Sequence, residues 1–462
     1  MDRGWKMLRL GRIPAGIVLL VAAGCGSGTP PPSSGANLSS GATASSSASA
    51  PGASAPTSSA AASAALDRTA GWRADIDAIL DARDHVHPDG WHGMKRSDWI
   101  AAADIAKAKI PALTDDQALV ELVRLAAMPS WNGRDGHSGI FPFVPGGGTH
   151  DYPVRWWRFS DGLVVTAARA PNADLVGSRV EAINGRPIAE VLALVEPLAP
   201  RDNPSNLLAY GPIYLRCSEL LAGLGVIDTA GPTTFTVVGR DGARRDVTIE
   251  PIPAADDVVW NGGLPHLLPP TDALWLKRQA TTLWWQYRAD SRTLFIQFNA
   301  VDGGTGAIVD EIVARVKEGG VDRVVLDLRH NGGGDNTTLG PIDFGLREPV
   351  IDRPGRLFVI IGRITFSAAA NFATDLEHET GAIFVGEAMG GSPNLYGDSR
   401  PIDLPYGVQK LHMATRYWER STPDDARITI EPTIAAALSS ADYFAGRDPA
   451  LAAILKTPLP PG

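Results

Sequence analysis

Asp327-Leu328-Arg329-His330-Asn331-Gly332-Gly333-Gly334, followed one strand and one helix later by Thr365-Phe366-Ser367-Ala368-Ala369-Ala370-Asn371, are the stretches on which the reading of this 462-residue chain turns. The first closes Val321 to Leu328, a nearly unbroken apolar run of the kind that fills a strand covered on both faces. Three glycines after such a strand leave the main chain bare, so its N–H groups can approach a ligand or developing negative charge. The second repeats the design. Leu357 to Ile364 is another apolar run, and Ser367 stands at its exit, where a helix is expected to begin near Ala368. A serine at such a junction is either an N-cap or a nucleophile, with the helix N-terminus and the Ala368 N–H beside it as oxyanion donors. Asp327 and Arg329 are expected to form an ion pair that shapes the turn.

The order D-L-R-x-N-x-G-G, then T-x-S-A-A, then Gly386-Glu387 with Gly390-Gly391, resembles the superfamily of tail-specific (C-terminal processing) and tricorn-core serine peptidases. Asp135-Gly136-His137-Ser138 looks like the D-G-H-[ST] motif of the tricorn-like branch. Ile430-Glu431-Pro432 and the run from Asp442 to Pro449 are similar to its closing segments, so the resemblance covers roughly residues 70 to 455. It implies an α/β fold: a crotonase-like (ClpP-like) spiral catalytic domain, a PDZ-like β-rich module and an N-terminal helical domain. His330 occupies the motif's variable position and is given no chemistry.

The family divides by the group that activates the serine. The tail-specific branch uses a downstream lysine with a glutamine after it; the corresponding positions here are Ser392 and Tyr396, and no lysine occurs between Ser367 and Lys410. The resemblance therefore implies Ser367 as nucleophile, His137 as general base, the N–H groups of Gly333 and Ala368 as oxyanion hole, and Gly332 and Gly334 as substrate contacts. A neutral imidazole with a pKa of ~6.5 suits that task, and an activity inflection at about 6 to 7 is expected. The tricorn-like relay also has a serine just before the histidine, where this chain has Gly136, and a glutamate that orients the ring. Candidates for that acceptor are Glu431, preferred from its segment, with Glu419, Asp398 and Asp135.

At the N-terminus, Arg3, Lys6, Arg9 and Arg12 precede an apolar core, Ile13 to Val21, too short to span a bilayer, and then Ala22-Ala23-Gly24-Cys25. These residues resemble a bacterial lipobox, which implies lipidation at Cys25 and an extracytoplasmic protein anchored to the cell membrane. The following Ser, Ala, Gly, Thr and Pro residues carry no charge and cannot bury a core. The expected divisions are 1–25 lipoprotein signal peptide, 26–65 disordered linker, 66–130 helical domain, 131–260 PDZ-like module preceded by the His-bearing segment, and 261–462 α/β serine-protease catalytic domain.

Beyond residue 65 the chain holds 38 Lys/Arg and 50 Asp/Glu, a net of −12, which disfavours nucleic acid as a partner. Cys217, in a helical pattern from Tyr214 to Leu221, is the one other cysteine and reads as a small buried residue. The nine histidines are scattered in sequence, and no metal and no cofactor are expected. Helices are expected with Trp72, Ile76, Ile79 and Leu80 on one face, near Ser97 to Lys107, and after an N-cap at Thr114. Strands are expected around His137 to Val144 and Val154 to Ala168. Leu175 to Ile188, with Asn184-Gly185 as a hairpin turn, looks PDZ-like, Thr234 to Ile252 reads as its last hairpin, and a helical insertion at about 190–226 separates them. Leu294–Phe298 and a helix from Gly304 to Lys317 open a strand-helix alternation. Trp284, Trp285, Tyr417 and Trp418 line either core or cleft, with core preferred. The implied function is a surface-tethered serine peptidase acting on peptide or protein substrates. The alternatives are an esterase-type acyl hydrolase and a non-catalytic extracytoplasmic binding protein.

Overall fold

The computed structural model describes residues 67–143, 147–261 and 273–460. Cys25, the signal-like segment, the linker and Val144 lie outside these residues. Three helices open the described chain: α1 (Arg68–His85), α2 (Arg96–Lys109) and α3 (Asp115–Ala127). Asp67 caps the first, and Thr114 with Gln117 forms a reciprocal capping box on the third, satisfying N–H groups that the first turn leaves unpaired. Ile76 and Ile79 of α1 and Leu122 of α3 are fully buried.

The helices share one continuous core with an antiparallel sheet. That sheet runs Val154–Phe159, Gly162–Ala168, Arg179–Ile183, Thr233–Val238 and Arg244–Ile249, all antiparallel, with the short strand Arg186–Pro187 beside Arg179–Ile183. The expected Val154 to Ala168 strand is thus a hairpin. The expected His137 to Val144 strand shrinks, among the described residues, to Gly139–Ile140. The Tyr214 to Leu221 pattern is a 3₁₀ segment Gly211–Arg216 and a helix Ser218–Gly223, broken at the fully buried Cys217.

The second layer is a six-stranded sheet in the order Leu283–Arg288, Thr293–Phe298, Arg323–Asp327, Leu357–Ile361, Ile383–Gly386 and Ile434–Ala435. The first pair is antiparallel and the remaining pairs parallel. Helices Gly306–Lys317 and Ala368–Glu379 fill two crossovers. Both faces are covered, which explains the continuous apolar strands. Leu294, Leu326, Val359 and Phe372 pack on one side, and Phe295, Val325, Phe358 and Ile360 on the other. Burying each large side chain contributes about 1.5–3 kcal/mol before entropy is counted. Trp157 and Phe159 of the first sheet join the second of these cores, which fixes the two layers against each other. Trp284 is core, whereas Trp285, Tyr417 and Trp418 are half-buried.

Candidate active site

The strand Arg323–Asp327 delivers the glycine turn, and side chains hold its shape. Asp327 Oδ1 accepts from Arg329 N and Nε, each at 3.0 Å, and the Arg329 fork reaches Asp448 in the closing segment at 2.9 Å on both arms. Asn331 Nδ2 donates to Phe298 O at 3.0 Å, and Thr365 Oγ1 to Leu328 O at 2.9 Å, so the turn is tied to the neighbouring strand and to the serine loop. Gly333 has φ +106°, and a Cβ there would lie 2.6 Å from Ser367 Cβ and 2.9 Å from Ala368 N. Glycine alone permits that approach.

Ser367 has φ +54° and ψ −128°, immediately before the helix Ala368–Glu379. Its side chain makes no cap hydrogen bond to that helix. Instead Oγ lies 3.0 Å from His137 Nε2. The cap reading of this serine is therefore replaced by a serine-histidine pair. Ala368 N–H, in the first helical turn, has no intrahelical acceptor. The Gly333 N–H is engaged differently from expectation: it donates to Asn331 Oδ1 at 3.0 Å. Gly334 is pinned by a bridge to Val301, and Gly332 lies beside the Tyr210 hydroxyl.

His137 comes from a loop stitched into the molecule on both sides. Arg134 N donates to Asp202 O at 2.9 Å, Tyr396 N to Arg134 O at 2.8 Å, and Gly136 N to Asp202 Oδ1 at 2.6 Å. Ser138 Oγ accepts from Ala414 N at 3.0 Å, and Gly139–Ile140 pair with Leu411 and His412. The imidazole stacks on Phe366, centroids 4.4 Å apart and 17° from parallel. At Gly136 a Cβ would sit 3.0 Å from the Phe366 ring and 3.1 Å from Asp202 Oδ1, a physical reason for glycine where the relay pattern has serine.

Burial lowers the His137 pKa to about 4, against the raising influence of the Asp135 and Asp398 carboxylates and the Tyr396 carbonyl. The ring is thus neutral at physiological pH and able to take a proton. Nδ1 is buried and has no hydrogen bond of ordinary geometry. The structure does not bring the preferred orienter to it. Glu431 and Glu419 are exposed, and Asp398 pairs with Trp418 Nε1 at 3.3 Å. Asp135 is fully buried on Arg83 Nη1 at 2.8 Å; desolvation would raise its pKa, but Arg83 and His87 outweigh it and hold the carboxyl well below the usual range. Tyr396, at the position where the tail-specific branch has glutamine, acts on the ring through its main chain, the smallest of the influences that raise its pKa. Ser392, at the lysine position, is buried, with Oγ donating to Ile428 O at 2.9 Å.

Among the described residues, His87, His92 and Asp135 place ligand atoms within 4.8 Å of one another, although the sequence scatters them. Their protons argue against a cation. His92 Nδ1 bonds Asp89 O at 2.9 Å, leaving Nε2 as an acceptor, but His87 Nδ1 accepts from Asp89 N at 3.0 Å, which puts the neutral ring's proton on Nε2. With Arg83 already neutralising Asp135, this is a hydrogen-bonded ion-pair cluster rather than three lone pairs.

Sequence reasoning missed Phe366, Asp202 and Asn203. Asn203-Pro204 carried a legible helix-start signal, and Asn203 does cap Pro204–Tyr210. Nothing local marked Asp202.

No family model matches the sequence, and no curated protein matches it. Solved structures do. A crystal structure of a CPAF mutant aligns with TM-score 0.57 and 12% identity over 82% of this chain and 95% of that one. Mature CPAF complexed with lactacystin aligns with TM-score 0.53 and 13% identity over 82% and 96%. At this identity the likeness establishes a shared fold, over nearly the whole length of CPAF.

Proposed function

We propose that this chain is a serine peptidase in which Ser367 is the nucleophile and His137 the general base. The observation that carries the reading is the 3.0 Å contact between Ser367 Oγ and His137 Nε2, made by a serine that declines to cap its own helix. Ser367 Oγ attacks a scissile carbonyl as its proton passes to His137 Nε2, and the imidazolium then protonates the leaving amine. Water, deprotonated by the same nitrogen, releases the acyl group. The Ala368 N–H stabilises the oxyanion, joined by Gly333 N–H once its bond to Asn331 Oδ1 is shared or released. Gly332 and Gly334 supply main-chain contacts to substrate. The Tyr396 carbonyl orients His137 in place of a carboxylate, leaving Glu431 outside the relay.

The wider reading follows the same family. The parallel-stranded layer, within 261–462, is a crotonase-like spiral, and the antiparallel sheet, within 131–260, is a PDZ-like module whose core is continuous with that of the helices of 66–130. Cys25 is the lipid anchor that holds the enzyme outside the cytoplasm, where peptides or proteins are its substrates. Incubation of the purified chain with an unstructured protein such as casein tests this. Fragments that appear with wild type and not with Ser367→Ala support a peptidase; identical digests from both sink it.

A further inference from the structure

We infer that Asp202 is the positioning residue of the His137–Ser367 pair, its buried carboxylate clipping the backbone of the histidine loop to the loop behind the serine. The inference rests on the reading of these two residues as base and nucleophile. The hydrogen bonds of Asp202 go to neither side chain. It is 0% exposed, and its two oxygens divide between two distant segments: Oδ1 accepts Gly136 N at 2.6 Å, and Oδ2 accepts Ser392 N at 3.0 Å. Its main-chain carbonyl adds Arg134 N at 2.9 Å and Ser392 Oγ at 3.3 Å. One residue thus holds the chain one step before His137 and the chain that follows Gly391.

The second grip is equally direct. Asn203 Nδ2 lies 3.0 Å from the carbonyls of Met389 and Gly390, 3.2 Å from Gly391 O and 2.8 Å from Ile428 O. Gly391 in turn donates to Thr365 O at 2.9 Å, and a Cβ on it would come within 3.6 Å of Ser367 N. The path from His137 to Ser367 therefore runs through Gly136, Asp202, Ser392, Gly391, Thr365 and Phe366 with a hydrogen bond or a peptide link at each step.

The chemistry explains the residue type. A carboxylate is the side chain that offers two forked acceptors and no donor, so it can satisfy two N–H groups at once. Burying it is unfavourable: desolvation pushes the carboxyl up to about 7, against the two N–H donors and the Arg134 guanidinium and with Asp135 adding to the rise. An asparagine of the same shape would oppose an N–H to one of the two amides and keep a single bond.

The test uses the full chain with ¹⁵N-labelled histidine, and His137→Ala to assign the His137 ring signals. In Asp202→Ala those signals move, and labelling by a fluorophosphonate slows by about 100-fold, the cost of a displacement on the order of 1 Å. Asp202→Asn falls between, with kcat lowered and KM unchanged; it is the deciding variant if the alanine chain does not fold. A residue that only fills space would lower the melting temperature without moving the ring signals or the labelling rate below that temperature. Unchanged His137 signals and unchanged labelling in folded Asp202→Asn would overturn the inference. Moved signals in a chain whose wild type never labels would retain the clip and remove the hydrolase reading.

Discussion

Ser367 Oγ meets His137 Nε2 at 3.0 Å across 230 residues of sequence, and the serine reaches that point with φ +54°, a conformation that residues bearing a Cβ seldom adopt. Such strain costs on the order of 1–3 kcal/mol and persists only where the surroundings enforce it. Ser367→Gly should therefore unfold at a higher denaturant midpoint than Ser367→Ala, by about 1 kcal/mol, although both lack the hydroxyl. Equilibrium unfolding of the two variants checks this; equal stability would contradict the strain.

The pH dependence should depart from that of an ordinary histidine. The base works when neutral, and burial puts its pKa at about 4 rather than in the 6 to 7 range expected from sequence. The ring's own contribution should therefore be level through neutrality and fall only as pH descends toward that value, with any change near pH 7 belonging to the raised Asp202 carboxyl. Stability moves in the same direction. The unfolded ring, with a pKa of ~6.5, binds more protons than the folded one between these values, so stability is lost as pH falls through the window. His137→Gln should lessen the slope of that part of the stability curve, the remainder coming from His412 and His330, which burial lowers likewise. An activity inflection near 6.5 that persists in Asp202→Asn would show that the ring is better solvated than its packing implies.

Gly333→Ala should remove activity while leaving most of the fold. The added methyl would stand 2.6 Å from Ser367 Cβ at a φ of +106°, so the turn must move away from the serine and take its N–H with it. A loss of about 10²- to 10³-fold in kcat is expected, the scale of one oxyanion donor. A kcat within threefold of wild type, an order-of-magnitude boundary set against that donor scale, would exclude the turn from the site.

Arg83 and Asp135 are both fully buried and bonded at 2.8 Å. Arg83→Met leaves a buried carboxylate without its cation and should cost about 3–5 kcal/mol. Pairing it with Asp135→Asn should restore most of that loss, because the uncompensated charge is gone. Non-additivity in thermal unfolding of the single and double variants measures it.

Much of this was readable from the residues, and the limits have physical causes. The apolar runs before Asp327 and Ser367 predicted buried parallel strands, because parallel sheets are covered on both faces. The Thr114 cap was legible because capping is local. The Asp327–Arg329 pair followed from its spacing, but its second partner, Asp448, did not. Motif order singled out His137, whose Nε2 does lie 3.0 Å from Ser367 Oγ, whereas the preferred Glu431 is exposed and makes no hydrogen bond to the buried Nδ1. Asp202 was missed for a reason of its own. Its partners are backbone amides of Gly136 and Ser392, so no side-chain pattern marks it. The His87, His92 and Asp135 cluster was likewise hidden, since two separate loops, one after α1 and one before His137, bring together residues that no local period connects.

The central claim is that Ser367 is activated by His137. The most direct measurement is fluorophosphonate labelling of the folded chain at pH 7.5, roughly a unit above the ~6.5 of a free imidazole, with the adduct mapped by peptide mass spectrometry. The account predicts one adduct, on Ser367, absent from Ser367→Ala and strongly reduced in His137→Ala. A folded wild type that takes up no label, or one labelled equally in His137→Ala, would contradict it.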